Sequence, residues 1–519
     1  MTIEDRAIAP STIGALLAAR ARRDPDRVFL SRPGSPAVTF GQMQEAASEL
    51  GAQLKALGLE PGDRVAVLLP NGFNLAVSLL AIMGAGGVAV PLNNRLKPQE
   101  LVEPLRGTSP RFALTEGEPE ALAAGPFEAS VPFAFAAAHD SEALRVAPRR
   151  GGSPAPRAMD AHGTGSEAPA LILHTSGSTG RPKGAVLTHR NLLANADQVV
   201  RAHRLDSTDV ALCVLPLFHI NGFVVTLLAP LLSGGSVVVP RRFEASAFWG
   251  WAEAHRVTWF SGVPTILSRL LSEAPPPREV LARLRFARSA SAPLPVAVME
   301  AFEARFGVPV IESMGMTEAA GQVTSNPLPP ARRKPGSVGI SFGNGVRVVD
   351  EAGQPVGPGI TGEVTIAGEA VFGGYLDRPE ADREALRGGW LFTGDLGHLD
   401  EEGFLFLTGR RKEIINRAGE KIAPREVEEV LHRLPAVETA CAVGVPDPIY
   451  GEEVAAFLSV RAGQVLEAAA VTAFCREHLA SFKVPKKVFF VDEFPRGPNG
   501  KLLRRGLIDL YRRLEQEGG

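Results

Sequence analysis

Cysteine is scarce in this chain: Cys213, Cys441 and Cys475 are the only three in 519 residues, and they lie far apart. So few and so scattered, they predict neither a disulfide framework nor a cysteine metal cluster. An excess of one charge is missing too. Lysine and arginine total 55 against 57 aspartates and glutamates, for a net charge of −2, and no dense basic run occurs. That balance gives no reason to expect nucleic acid as a partner. Long apolar runs are also absent. The best candidate, GFVVTLLAPLLSGG at residues 222–235, is broken by Pro230 and falls short of the roughly 20 residues a transmembrane segment needs. The opening MTIEDRAIAPSTIG lacks the basic-then-apolar layout of a secretory signal. A cytoplasmic enzyme or binding protein is the expected class.

What is present is ordinary globular material, 45% hydrophobic and 22% charged. The chain is too long for one core, so two or more domains are expected. DRVAVLLP (63–70) reads as a buried strand, and NLAVSLLAIMGAGGVAVPL (74–92) as a helix ending in glycines before another strand. The alternation returns at VALCVLPL (210–217) and GVPVIES (307–313), which predicts parallel sheet with helices on its faces. Residues 146–168 hold few large apolar side chains and read as a surface loop or mobile insertion. A boundary is expected near GRRKEIINRAGEKIAP (409–424), after the strand FLFLTG. Beyond it, PREVEEVLHRL and VTAFCREHLA look helical, while ACAVGV and KKVFFVDEF look like strands. The expected fold is therefore α/β, with a large N-terminal domain of parallel or mixed sheets over 1–410. A small mobile α+β domain would follow over 411–519.

One stretch carries unusual chemistry. HTSGSTGRPKGAVLTH (174–189) follows the apolar strand residues 170–173. Gly177, Gly180 and Gly184 permit close backbone approach to a ligand. Backbone N–H groups, the hydroxyls of Thr175, Ser176, Ser178 and Thr179, and the Lys183 ammonium together suit phosphate oxygens. The segment is not a Walker loop, because the G-x-x-x-x-G-K-[ST] spacing fails. A flexible hairpin of small polar residues is the plain alternative. By its residues alone, the stretch points to a nucleotide or phosphoester site and no further.

TSGSTGRPKGAVLTH resembles the signature of the adenylate-forming enzymes, which include acyl-CoA synthetases, peptide-synthetase adenylation domains and firefly luciferase. Further motifs of that family follow in the family order: PLFHINGF (216–223), MGMTEAAG (314–321), GEVTIAG (362–368), WLFTGDLG (390–397), TGRRKEIINRAGEKIAP (408–424) and GPNGKLLRR (497–505). The resemblance implies a two-step reaction. A carboxylate first joins the α-phosphate of ATP and pyrophosphate leaves; a thiol then attacks the acyl-adenylate. ATP, Mg²⁺ and coenzyme A are the implied cofactor and substrates, and a monomer or homodimer is expected. The N-terminal domain would hold ATP and the acid, and the C-terminal domain the catalytic lysine and the CoA tunnel.

The resemblance also implies roles, residue by residue. Lys501 would bridge the attacking carboxylate and the α-phosphate, offsetting the charge of the transition state. Glu318 resembles the carboxylate that helps hold Mg²⁺, a hard cation that prefers oxygen, and Thr317 would add a hydroxyl to phosphate. Asp395 resembles the acceptor of both ribose hydroxyls, assisted by Arg410. Met314, Gly315 and Met316 run beside the nucleotide; Met314 stands where the family commonly has a tyrosine over adenine, and its polarizable sulfur can still cover a ring face. His219, Ser289, Gly315 and Gly321 would line the acyl pocket. A histidine between Phe218 and Ile220 is also readily a core residue, and a general base is not needed for an acid already ionised near neutral pH. Lys412 matches the hinge, and Gly419 the loop that lines a pantetheine tunnel.

The subgroup most similar by its segments is the oxalyl- and short-dicarboxyl-CoA synthetase type, through LLSGGSVVVPRRFEASAFW, ARSASAPLP, TSNPLPPARRKPGSVG and LASFKVPKKVFF. That subgroup tends to carry a histidine near Gly321, and here only small and apolar groups precede Gln322. Loss of a polar partner favours a medium-to-large hydrophobic acid, since an uncompensated buried charge is costly. Oxalate or a short dicarboxylate stands as the alternative. So do transfer to a separate carrier protein and an inactive nucleotide-binding paralogue.

Overall fold

The structure is a computed structural model and describes residues 10–116, 131–133, 144–148, 165–175, 183–495 and 502–517. A large N-terminal domain is built on two sheets that share a helical layer. The first has nine strands, and its middle six are parallel: Val310–Met316, Phe286–Ser289, Trp259–Gly262, Val210–Cys213, Ser236–Val238 and Val28–Ser31. Antiparallel strands close its two ends. The second has seven strands, with Arg64–Leu68 and Val88–Pro91 at its parallel centre and the hairpin Pro169–Thr175/Lys183–Thr188 at one edge.

The helix Phe73–Gly84 explains why its sequence is apolar on every side. All residues from Phe73 to Met83 are buried, as a helix must be when it lies inside one core shared by both sheets. It crosses the helix Ile13–Arg23 where glycines meet, and a Cβ on Gly14 would sit 2.8 Å from the Gly84 Cα. Helix His189–His203 starts at once after the edge hairpin because Thr188 and Asn191 form a capping box. The apolar run at 222–235 folds as a π-helix, Asn221–Leu228, followed by a short helix, Ala229–Ser233. Among the described residues no helix is long and apolar enough to cross a membrane.

A third sheet, of five strands, includes Trp390–Leu399 paired antiparallel with Leu405–Arg410. The smaller C-terminal domain has its own five-stranded sheet, with Ile415–Arg417, Val437–Asp447 and Gly451–Val460 among its strands. Alternation along Val437–Asp447 sends Ala440 and Ala442 to one core, beneath the helices Pro424–Leu431 and Ala468–His478, and Cys441 and Val443 to another, beneath Arg504–Glu517. One expectation is corrected. Residues 146–148 are not loop: they belong to the strand Leu144–Pro148, which pairs with Phe112–Glu116 through backbone hydrogen bonds that need no large side chain. Residues 149–164 lie outside the described residues.

Candidate active site

The parallel strands of the first sheet end together, and this is where open α/β sheets place ligands. Val310–Met316 runs out of the sheet into a 3₁₀ turn, Thr317–Ala319, and returns as Gly321–Ser325. The return is tight. A Cβ on Gly315 would stand 2.4 Å from the Gly321 carbonyl oxygen, and Gly321 itself has φ +130°. Helix His189–His203 holds this turn through Asn195, whose Nδ2 donates to the carbonyls of Ala319 and Gln322 while its Oδ1 accepts from the Gln322 N–H. The turn thus presents Thr317 and Glu318, both half-buried, beside the edge hairpin.

In that hairpin Thr175 pairs with Lys183 across the ladder. Ser176, Gly177, Ser178, Thr179 and Gly180 lie outside the described residues, so the loop is framed here by its two ends. Lys183 Nζ stands 5.1 Å from the ring centroid of Tyr375, and the Tyr375 hydroxyl donates to Glu318 Oε1 at 2.8 Å. The cation end of the hairpin and the turn carboxylate therefore meet on one tyrosine.

A carboxylate and a guanidinium face each other on the third sheet. Asp395 and Arg410 are register partners, and Arg410 Nε donates to Asp395 Oδ1 at 2.7 Å. The neighbouring Asp395 charge holds Arg410 above its ordinary basicity, with Glu413 and Glu318 adding to the effect. Lys412, two residues on, is pushed down by burial and by the positive Arg410 and Lys183. Gly419 sits at the tip of a hairpin between Ile415–Arg417 and Glu420–Ile422. Ala418 has φ +50° and Gly419 φ +95°, the pair of left-handed residues a two-residue hairpin turn requires.

On the acid side, His219 follows Phe218, with ring centroids 4.6 Å apart, immediately before the π-helix. Gly222 belongs to that helix, and a Cβ there would sit 2.2 Å from the Pro216 carbonyl oxygen. Ser289 ends its strand fully buried, and its Oγ has no hydrogen-bond partner among the described residues. Next to it lies a residue that the motifs do not announce. Arg288 is 1% exposed and is held by neutral oxygens: Asn221 Oδ1 at 3.0 Å, Ser261 Oγ at 3.0 Å and Gln322 Oε1 at 3.3 Å. Gln322 also meets His203 Nε2 at 3.1 Å. Burial and the Arg288 charge push His203 down to about 3, so it is neutral. Burial alone lowers Arg288 to about 9, and at neutral pH it carries its charge. Among the described residues no carboxylate forms an ion pair with it.

Comparison with known proteins gives the family of the chain. The model for AMP-binding enzymes matches residues 17–376, and that for the AMP-binding enzyme C-terminal domain matches 426–501. The chain belongs to the AMP-binding enzyme family. It is similar to the sulfoacetate–CoA ligase of Cupriavidus necator, with 44% identity over 96% of this chain and 97% of the relative. It is 37% identical to the oxalate–CoA ligase of Arabidopsis thaliana, over 95% and 97% of the two chains. Among solved structures it is similar to the o-succinylbenzoate CoA synthetase of Bacillus subtilis in complex with ATP and magnesium ion: TM-score 0.80, 31% identity, 95% of this chain and 98% of that one. Its reaction class is ATP-dependent ligation of an acid to a thiol.

In this AMP-binding enzyme Lys183, Glu318, Asp395, Arg410 and Lys412 lie near enough to act on one another's charges, with Thr175 paired to Lys183 and Thr317 next to Glu318. Met314 is buried in the central core with Met316 packed against it. Lys501 lies outside the described residues. Close downstream, Arg504 anchors its segment, pairing with Glu428 at 2.5 Å and Glu413 at 3.0 Å. Sequence reasoning missed Arg288 and Tyr375. The first had a usable signal, a charge inside the apolar strand Phe286–Ser289; the second had none by itself.

Proposed function

We propose that this AMP-binding enzyme ligates a short acid carrying a second anionic group, carboxylate or sulfonate, to coenzyme A, with Arg288 as the anchor of that group. The carrying observation is the buried guanidinium with only neutral oxygens around it. A buried charge without a counter-charge is costly, and a substrate anion supplies what the protein leaves out. Two features weigh against a large hydrophobic acid. Gly321 does not open space, because a Cβ there would already meet Asn195 Oδ1 at 2.7 Å and Ile220 at 3.8 Å. The sulfoacetate and oxalate ligases it resembles act on acids with two acidic groups.

In this reading a carboxylate oxygen of the acid attacks the α-phosphorus and pyrophosphate leaves. Lys501 neutralises the developing charge there. Lys183 and the hydroxyls of Thr175, Ser176, Ser178 and Thr179 receive the departing phosphates. Asp395, held by Arg410, accepts the ribose hydroxyls. Glu318 and Thr317 fit a magnesium ion that arrives with ATP, since one carboxylate beside waters and phosphates is the usual protein share of such a site. The ion would screen the phosphate charges. Domain rotation about Lys412 then brings the Gly419 hairpin to guide the thiol. The three cysteines are free and buried, which suits a reducing cytoplasm.

A panel of acids tests the proposal through ATP–pyrophosphate exchange. Oxalate, malonate, succinate and sulfoacetate are expected to outpace hexanoate and benzoate. Arg288→Met should lower kcat/KM for the preferred dianion by on the order of a hundredfold, the scale of a lost buried charge pair, and spare the monoanions. Preference for a hydrophobic monoacid would overturn it.

A further inference from the structure

Tyr375 lies outside every role assigned above, yet it touches two of the charged groups at the phosphate end of the site. Its hydroxyl donates to Glu318 Oε1 at 2.8 Å, and its ring lies 5.1 Å from Lys183 Nζ. The residue is fastened from several sides. Its backbone forms a β-bridge with Ala185, next to the end of the phosphate loop, and its N–H donates to Asp382 Oδ1 at 2.7 Å. The flanking Gly374 carbonyl accepts from the Val186 N–H, and the Leu376 N–H donates to the Gly184 carbonyl. Phe372 packs on the ring edge at 4.8 Å and donates its own N–H to the Glu318 carbonyl. Asn191 holds the carbonyls of Glu369 and Val371. The phenol is therefore a fixed point between the hairpin and the Glu318 turn.

We infer that Tyr375 is a positioning residue for the adenylation step: it holds one oxygen of Glu318 so that the other faces the magnesium ion of ATP, and it keeps Lys183 apart from that carboxylate. The inference rests on the metal role of Glu318 proposed above. A phenol suits the task for a physical reason. A lysine or arginine in its place would neutralise the carboxylate and compete with the cation, whereas a neutral hydroxyl orients the carboxylate and leaves its charge intact. The ring face meanwhile offers Lys183 an attractive seat. Among the described residues no ion pair joins Lys183 to Glu318, two opposite charges that share one tyrosine. Without the phenol they are free to close on each other, and each would be lost to its own ligand.

The test separates metal positioning from simple packing. Tyr375→Phe keeps the ring and removes the hydroxyl. Magnesium is titrated at fixed ATP in the pyrophosphate-exchange assay, and thioester formation is measured separately from supplied acyl-adenylate and coenzyme A. Half-saturating magnesium should rise about tenfold, the scale of one hydrogen bond to a charged group, while the thioester step stays within about twofold of wild type. Tyr375→Leu should add a loss of ATP affinity as Lys183 leaves its seat. An unmoved magnesium midpoint in Tyr375→Phe overturns the inference, as does an equal fall of both half-reactions with a lowered Tm, the mark of a structural role. Glu318→Gln is the companion variant. If its magnesium midpoint is unmoved, the metal role of Glu318 fails; if it moves and that of Tyr375→Phe does not, the inference alone fails.

Discussion

At the scale of single residues, the proposed reaction gives roles to two cations, Arg288 and Lys501. Arg288 is held by three neutral side chains inside the sheet, and it is charged at neutral pH although burial lowers its basicity. Lys501 lies outside the described residues; downstream of it, Arg504 pairs with Glu428 and Glu413. A lysine carried by the smaller domain can serve one step and be withdrawn for the next. Lys501→Ala is therefore expected to abolish ATP–pyrophosphate exchange while thioester formation from supplied acyl-adenylate continues. Measuring both half-reactions on one preparation checks this, and undiminished exchange would remove Lys501 from the first step. The expectation for Lys501 came from the fixed local spelling of its motif. Arg288 showed in the sequence only as a charge inside an apolar strand, because its partners Asn221 and Gln322 stand 67 and 34 residues away along the chain.

At the scale of elements, the π-helix Asn221–Leu228 shows how backbone geometry places a side chain. Wide turns of this kind recur at functional sites, and here one delivers Asn221 to Arg288 while His219 precedes it. Gly222 makes the turn possible: a Cβ would sit 2.2 Å from the Pro216 carbonyl oxygen, a contact with backbone that cannot swing aside. Gly222→Ala should destabilise the protein by about 2–4 kcal/mol, in the range of overpacked cores and forced backbone shifts, and should weaken acid binding. Urea denaturation reads the first and KM for the acid the second. Gly107→Ala is the control: it lies in the helix Pro98–Thr108 with nothing near its Cβ position, and a helical glycine replaced by alanine is expected to be neutral or slightly stabilising. The apolar run at 222–235 was visible as helical material. Its π form was not, since it depends on Pro216 and on the oxygen of Thr226, which donates back to the Gly222 carbonyl.

At the scale of the whole molecule, the two domains meet at a buried carboxyl. Glu312, on the strand that carries the Thr317 turn, lies 3.8 Å from Arg425 of the smaller domain. Arg425 also donates to the Leu407 carbonyl, and the Val296 N–H reaches Glu429 at 3.5 Å. Burial drives Glu312 up from 4.5 to about 7, against the opposing pull of Arg425. The sign follows. An unfolded chain ionises this group near 4.5 and the folded one near 7, so between those values the folded state holds the extra proton. Stability from this group is complete below pH 4.5 and is lost as pH rises through 7. Glu312→Gln, which cannot titrate, should flatten the fall of Tm across that window relative to wild type. Parallel Tm–pH profiles that differ only by a constant offset would show that Glu312 does not titrate there.

The sequence by itself determined the reaction class and the alternation of strands and helices, and it supplied the roles expected of the phosphate loop, of Asp395 with Arg410, and of Lys501. Each of these is written in residues a few positions apart, where spacing alone sets the geometry: Thr175 to Lys183, Thr317 to Glu318, the run around Lys501. Only the tertiary structure shows the surroundings of Arg288 and of Tyr375, on which the proposed acid preference and the inferred Glu318 clamp rest. Arg288 is buried among neutral oxygens only because strands from distant segments line up around it. Tyr375 becomes a clamp only when it meets Glu318, 57 residues earlier in the chain. Burial and register are properties of the packed whole, and no local spelling records them.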